Sequence, residues 1–281
     1  MTLALIISSH VAASRVGGSA QALALAPFKI DVMVVPTVLY GRHPGWGPPG
    51  GAAVPVEAIN GMLDGIEANG YFAQVDLLIT GYFASAPQVR AAARAIDAVR
   101  AAPREAGARK PFIIVDPTLG DQGKGLYVPL DVAEAVTADL VPRADLVACN
   151  TWELQRLTGA ETRSPAQALA AARLLDKPAL ISSVARGDEV GVIYADRKEA
   201  WLAAHPRTAD APQGTGDLLT ALYGAAVLDS LAPAYALPRA VGGVAETVSA
   251  AQMWKARELP LVAMAQRLKA ISPHVRMERL K

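Results

Sequence analysis

"LLITGYFASAPQVRAAARAIDAVRAAPREAGARKPFIIVD", residues 77 to 116, sets two short apolar runs on either side of a segment with helical period. The runs cover residues 77–80 and 112–115. Both are short and rich in branched side chains, with no polar alternation, which suits strands buried on both faces. Between them, in residues 88–102, Val89, Ala93, Ile96 and Val99 share one helical face. Arg90, Arg94 and Arg100 fall on the polar positions, as an amphipathic helix requires. Runs of the same kind recur at residues 3–7, 30–35, 146–148 and 179–181, mostly with helical stretches between them. This alternation predicts a mostly parallel central sheet covered by helices, a three-layer α/β/α fold.

The chain has 281 residues, 52% of them apolar, enough for a sizeable core. The formal net charge of +1 provides no global field for nucleic acid or an anionic membrane. Cys149 is the only cysteine, so no internal disulfide forms, which fits a reducing cytoplasm. No basic residue precedes the first apolar run, so the N-terminus does not read as a secretion signal. No uncharged apolar run reaches the roughly 18 residues of a membrane span. The expectation is a soluble, cytoplasmic, single domain over residues 1–281.

Two stretches break the rhythm. Residues 37–55 are rich in Gly and Pro and read as a long loop or flap. Residues 189–204 read as a hairpin with 196–199 at its turn. The basic end, VRMERLK, reads as a solvated tail.

Five polar clusters fall at strand ends or at a helix start. In QGTGD, Gln213 to Asp217, glycines allow close backbone approach and the first helical amides offer donors to an anion. Asp217 there is either an ordinary helix cap or a chemical group. In NTWE, Asn150 and Glu153 lie three apart on one helical face. They suit either a hydrated Mg²⁺ or a capping box. In DPTLGDQGKGLYV, Asp116 ends a strand and leads into a glycine-rich loop carrying Lys124 and Tyr127. Ser9 and His10 end the first strand, where His10 has either a basic or a structural role. Ser182 and Ser183 close another strand and either reach a phosphate or satisfy strand-end amides. A doubly wound sheet brings such ends to one edge. Anion-binding amides, a carboxylate among them and a further acidic pair are what phosphoryl transfer needs.

These stretches resemble the ribokinase superfamily and, within it, the pyridoxal kinases. The resemblance is carried by SHV at residues 9–11, TGYFASA at 80–86, DPTLGDQGKGLYVP at 116–129, VPRADLVACNTWELQRLTG at 141–159 and GTGD at 214–217. It implies ATP-dependent phosphorylation of the 5′-hydroxymethyl group of pyridoxal, with Mg²⁺ and a monovalent cation such as K⁺, in a homodimer. On this resemblance Asp217 is the base, and Gly214, Thr215 and Gly216 are the amide cradle. Asp116 and Glu153 lie around Mg²⁺. Asn150, Ser182 and Ser183, with Asp116, Glu153, Lys124 and Tyr127, lie on the ATP side. Ser9, Gly81, Tyr82, His43 and Trp46 lie on the substrate side. Residues of about 37–55 form the substrate flap, and residues of about 119–128 cover ATP.

Two positions depart from the family pattern. HPGWG, His43 to Gly47, has Pro44 where a threonine is usual, and proline brings neither hydroxyl nor amide hydrogen. Cys149 stands where proline often precedes the Asn. The rival expectations are a hydroxymethylpyrimidine kinase of thiamine synthesis, a pyridoxal-binding protein without turnover, and a sugar kinase.

Overall fold

A ten-stranded sheet organises the chain in a computed structural model that describes residues 1–269 and 275–281. The first half runs β1 (Thr2–Val11), α1 (Gly17–Leu25), β2 (Ile30–Tyr40), β3 (Gly51–Ala53), α2 (Val56–Ala68), β4 (Val75–Thr80), α3 (Ala86–Ala101) and β5 (Phe112–Val115). A small hairpin, β6 (Gly120–Asp121) and β7 (Gly125–Leu126), precedes α4 (Leu130–Ala135), β8 (Leu146–Asn150), α5 (Thr151–Thr158) and α6 (Pro165–Leu174). The chain ends with β9 (Ala179–Arg186), β10 (Glu189–Ala195), β11 (Ala200–Pro206), α7 (Thr215–Leu228), α8 (Pro233–Met253), α9 (Leu261–Met264) and β12 (Arg276–Leu280).

The order across the sheet is β12-β11-β10-β9-β8-β5-β4-β1-β2-β3. The strands from β9 to β2 are parallel, and the antiparallel pairs lie at the two margins. Residues alternate between two cores. Leu5, Ile7, Leu78, Ile113 and Val115 face one side, with Val89, Ile96 and Leu154 of the covering helices. Ala4, Ile6, Leu77, Ile79 and Ile114 face the other, with Leu218, Leu222 and Leu237. Both faces are buried, which is why these strands read as unbroken apolar runs. Helix α7 is apolar nearly all round because it lies inside the second core.

Helix α3 keeps the expected face inward and its three arginines exposed. It ends before Pro103, since the residue before a proline is pushed out of helical geometry. The predicted hairpin is β10–β11, closed by Asp196 N–H donating to Glu199 O at 3.0 Å.

Three expectations change. Residues 37–55 are not one loop: β2 runs on to Tyr40, β3 pairs back onto it, and a short 3₁₀ turn at Pro44–Trp46 forms the tip. Buried Gln88 ties both limbs, its Nε2 donating to Thr37 O at 3.0 Å and Val54 O at 2.7 Å. Residues 119–128 are likewise an ordered hairpin on Trp152, not a bare loop. The tail is the edge strand β12, paired with β11. Its charges suit an edge, where they discourage pairing with other chains.

Candidate active site

The carboxyl ends of β1, β4, β5 and β8 meet the start of α7 along one edge of the sheet, where the strand order switches direction between β1 and β4. Two clefts open there. The first, about 720 Å³, is walled by Ser9, Tyr82, His43, Trp46 and Lys124 among others. The second, about 270 Å³, is walled by Asp116, Asn150, Glu153, Ser182, Ser183, Thr215 and Gly216 among others. Thr118, Tyr127, Gln213, Gly214 and Asp217 line both. A separate cavity of about 740 Å³ lies by the β10–β11 turn, away from this edge, among exposed charges such as the Asp176–Arg197 pair.

Gly214 caps α7 with φ 92°, in the left-handed region that favours glycine. The bond from Leu218 N–H to Gly214 O at 2.9 Å is the first backbone hydrogen bond of the turn. The amides of Thr215, Gly216 and Asp217 therefore precede the helical ladder and are open to an anion. Asp217 lies within the first turn and is not the cap; Gly214 fills that position. Burial, then the nearby charge of Asp116, pushes its carboxyl up to about 7, while the Gly17 amide pulls the other way.

Asp116 accepts from Thr118 N–H at 3.2 Å, Thr118 Oγ1 at 2.9 Å and Thr220 Oγ1 at 3.2 Å. Burial outweighs these bonds and raises it to about 6. Asn150 and Glu153 form a full capping box on α5: Glu153 N–H donates to Asn150 Oδ1, and Asn150 N–H to Glu153 Oε2, both at 2.9 Å. Glu153 Oε1 accepts from Leu119 N–H at 2.7 Å. Both oxygens thus accept from backbone N–H groups. Burial and Asp116 push it up to about 8.

All three carboxyls hold protons more tightly folded than unfolded. The fold therefore loses stability as pH rises from the ordinary carboxylate range, about 4, up to these raised values of about 6 to 8. Asp116→Asn keeps the shape and removes the shared repulsion. The ligand-free variant is expected to melt about 2–4 °C higher than the wild type at pH 8, as about 1 kcal/mol does in a chain of this size. The gain should shrink at pH 5. Equal melting at pH 8 would rule out strain among these carboxylates.

On the flap, His43 Nδ1 accepts from Gly45 N–H at 3.1 Å. Burial, then Lys124, holds the imidazole below its ordinary value, so it is neutral at pH 7 with Nε2–H as its free donor. Trp46 stands edge-on to it, ring centres 6.3 Å apart.

Several predicted residues sit elsewhere than expected. Lys124 lines the first cleft beside His43, not the second. Gly81 does not line the first cleft; it stands behind it, where a Cβ would come within 2.3 Å of Ser8 Oγ. His10 is exposed and bonds Ser19 Oγ at 2.9 Å, the structural role. Ser182 and Ser183 lie inside β9 and not at its close, Ser183 with φ 62°, and both still reach the second cleft. Thr118 and Gln213, though inside the quoted clusters, had no role assigned from sequence, and Thr220 lay outside them. Thr220 was within reach of pattern reasoning, three residues after Asp217 on the same helical face.

A family model described as phosphomethylpyrimidine kinase matches residues 74–261. A pyridoxine/pyridoxal/pyridoxamine kinase of Bordetella avium is 34% identical over 223 residues, covering 76% of this chain and 74% of that protein. A pyridoxal kinase PdxY of Deinococcus radiodurans is 32% identical over 273 residues, covering 92% of this chain and 90% of its own. The solved pyridoxal kinase of Leishmania donovani in complex with ADP and pyridoxine superposes with a TM-score of 0.91 at 25% identity, over 99% of both chains.

Proposed function

The chain belongs to the phosphomethylpyrimidine kinase family and, within it, to the pyridoxal kinases, and from that membership we propose that it transfers the terminal phosphoryl group of ATP to the 5′-hydroxymethyl group of pyridoxal, and of pyridoxine and pyridoxamine. The observation that carries this is the place of Asp217 and Gly214, on the wall shared by both clefts. A donor in one cleft and an acceptor in the other meet there.

The vitamer ring lies in the first cleft between Tyr82 and the flap. Ser9 offers a hydroxyl to its polar edge, neutral His43 donates from Nε2, and Trp46 covers the ring and excludes water. The nucleotide phosphates lie in the second cleft near Asn150, Ser182 and Ser183. Asp217 takes the proton of the alcohol as its oxygen attacks. The amides of Thr215 and Gly216 hold the moving group and meet its charge without reorganising.

Mg²⁺ fits the second cleft, because Asp116 repels both Glu153 and Asp217 there. Asp116 would supply a carboxylate to it, with Glu153 as a further acidic group lining the same cleft. Among the described residues no group of three His, Cys, Asp or Glu side chains is assembled to hold a metal. When bound, the ion neutralises phosphate charge. K⁺, a homodimer, a cytoplasmic location and a single catalytic domain over residues 1–281 belong to the same proposal and rest on kinship. No helix among the described residues is long and apolar enough to cross a membrane.

A second reading, a hydroxymethylpyrimidine kinase, is favoured by the family match and by Pro44 in the flap. A panel of the three vitamers and hydroxymethylpyrimidine with ATP, Mg²⁺ and K⁺, read by product mass, separates them. Phosphorylated pyridoxal is expected. Phosphorylation of the pyrimidine alone would reverse the assignment, and binding of pyridoxal without ADP release would leave a carrier instead of a kinase.

A further inference from the structure

The flap tip is held by a segment far from it in sequence. After α8, the chain turns through Lys255 at φ 51° and is pinned by buried Leu259 and Leu261. Just before these anchors two side chains reach toward the site. The guanidinium carbon of Arg257 lies 4.8 Å from the centre of the Trp46 ring. Glu258 Oε2 accepts from Arg15 N–H at 2.7 Å.

Arg15 belongs to the loop that joins the flap to the amide cradle. In that loop Ala12 N–H donates to Tyr40 O at 2.8 Å and Ala13 N–H to Gly41 O at 3.0 Å, at the base of the flap. Its other side packs on Gly214, where a Cβ would come within 2.1 Å of Arg15 O. Glu258 therefore fixes the backing of the cradle, while its neighbour Arg257 grips the aromatic cover. The three residues of β3 are all exposed.

We propose that Arg257 is a positioning residue for vitamer binding: its guanidinium holds Trp46 over the first cleft by a cation–π contact, with Glu258 fixing the segment that presents it. This deepens the kinase reading above and rests on it. Arg257 is exposed, so replacing it leaves the core intact.

The test is a cycle of Arg257→Met, Arg257→Lys, Trp46→Leu and the double variant Arg257→Met with Trp46→Leu. Arg257→Met is expected to raise the vitamer KM about three- to tenfold, the span of a cation–π contact, with the KM of ATP and kcat within about twofold. Arg257→Lys should recover most of the loss. The double variant should be no worse than Trp46→Leu alone. A second readout needs no turnover: emission of ligand-free protein, with the spectrum of Trp46→Phe subtracted, should become more open to acrylamide quenching in Arg257→Met. Unchanged quenching, or additive effects in the double variant, overturns the proposal. A wild type that phosphorylates no vitamer but shows the quenching change overturns the kinase reading and leaves the Arg257–Trp46 contact standing.

Discussion

Asp217→Asn is expected to lower kcat by at least about a hundredfold, the low end of what a general base contributes. The amide keeps the size of the carboxyl and its place in the first turn of α7, so binding in both clefts should change little. What it loses is the ability to accept a proton. The carboxyl suits that task because burial, then Asp116, brings it up to about 7, near working pH. The ionised form is the base, so kcat/KM should fall as pH drops below that value, and this acid limb should be absent in the variant. Removing a charge that Asp116 repels should not weaken the fold, so melting curves separate lost chemistry from lost structure. Full turnover by Asp217→Asn would strip Asp217 of the role.

The sequence revealed the parts whose signal is local. The parallel strands were legible because burial on both faces leaves an apolar run, and α3 because one face is apolar over four turns. The β10–β11 hairpin announced itself by its turn at Asp196. β3 gave no such signal, since Gly51, Ala52 and Ala53 are small and exposed. The strand expected over residues 30–35 runs on through Pro36, which is tolerated where the pairing with β1 slips between Ser8 and His10. β12 read as solvent-facing because its Arg276, Glu278 and Arg279 are charged, and only its pairing on β11 reveals a strand.

The site divides in the same way. GTGD and the Asn150–Glu153 spacing are contiguous, so their helix-start geometry could be read directly. NTWE forms the capping box in full, and Asn150 and Glu153 also line the second cleft. Which cleft Lys124 enters depends on how the β6–β7 hairpin folds over the edge, and no spacing encodes that. The grip of Arg257 on Trp46 joins opposite ends of the chain and is visible only in three dimensions.

Gly214→Ala should damage both fold and catalysis, and Gly216→Ala catalysis alone. At Gly214 the backbone has φ 92°, and the added Cβ would sit 2.1 Å from Arg15 O and 3.2 Å from its carbonyl carbon. Neither obstacle is a flexible side chain. The Arg15 loop has no easy retreat, being held by Glu258 on one side and by the flap base on the other. The start of α7 must therefore shift, at a cost of about 1–3 kcal/mol. A displacement near 1 Å at the reacting centre lowers the rate about a hundredfold, so kcat/KM should fall by that order together with the melting temperature. Gly216 has an ordinary φ, and its Cβ would meet nothing within 4 Å. The new methyl group would enter the open second cleft, the proposed phosphate site. Gly216→Ala should melt with the wild type and still lose activity. Melting curves and kcat/KM on the two variants decide the matter: a Gly214→Ala protein with wild-type stability and turnover would show that the cradle does not depend on this backbone turn.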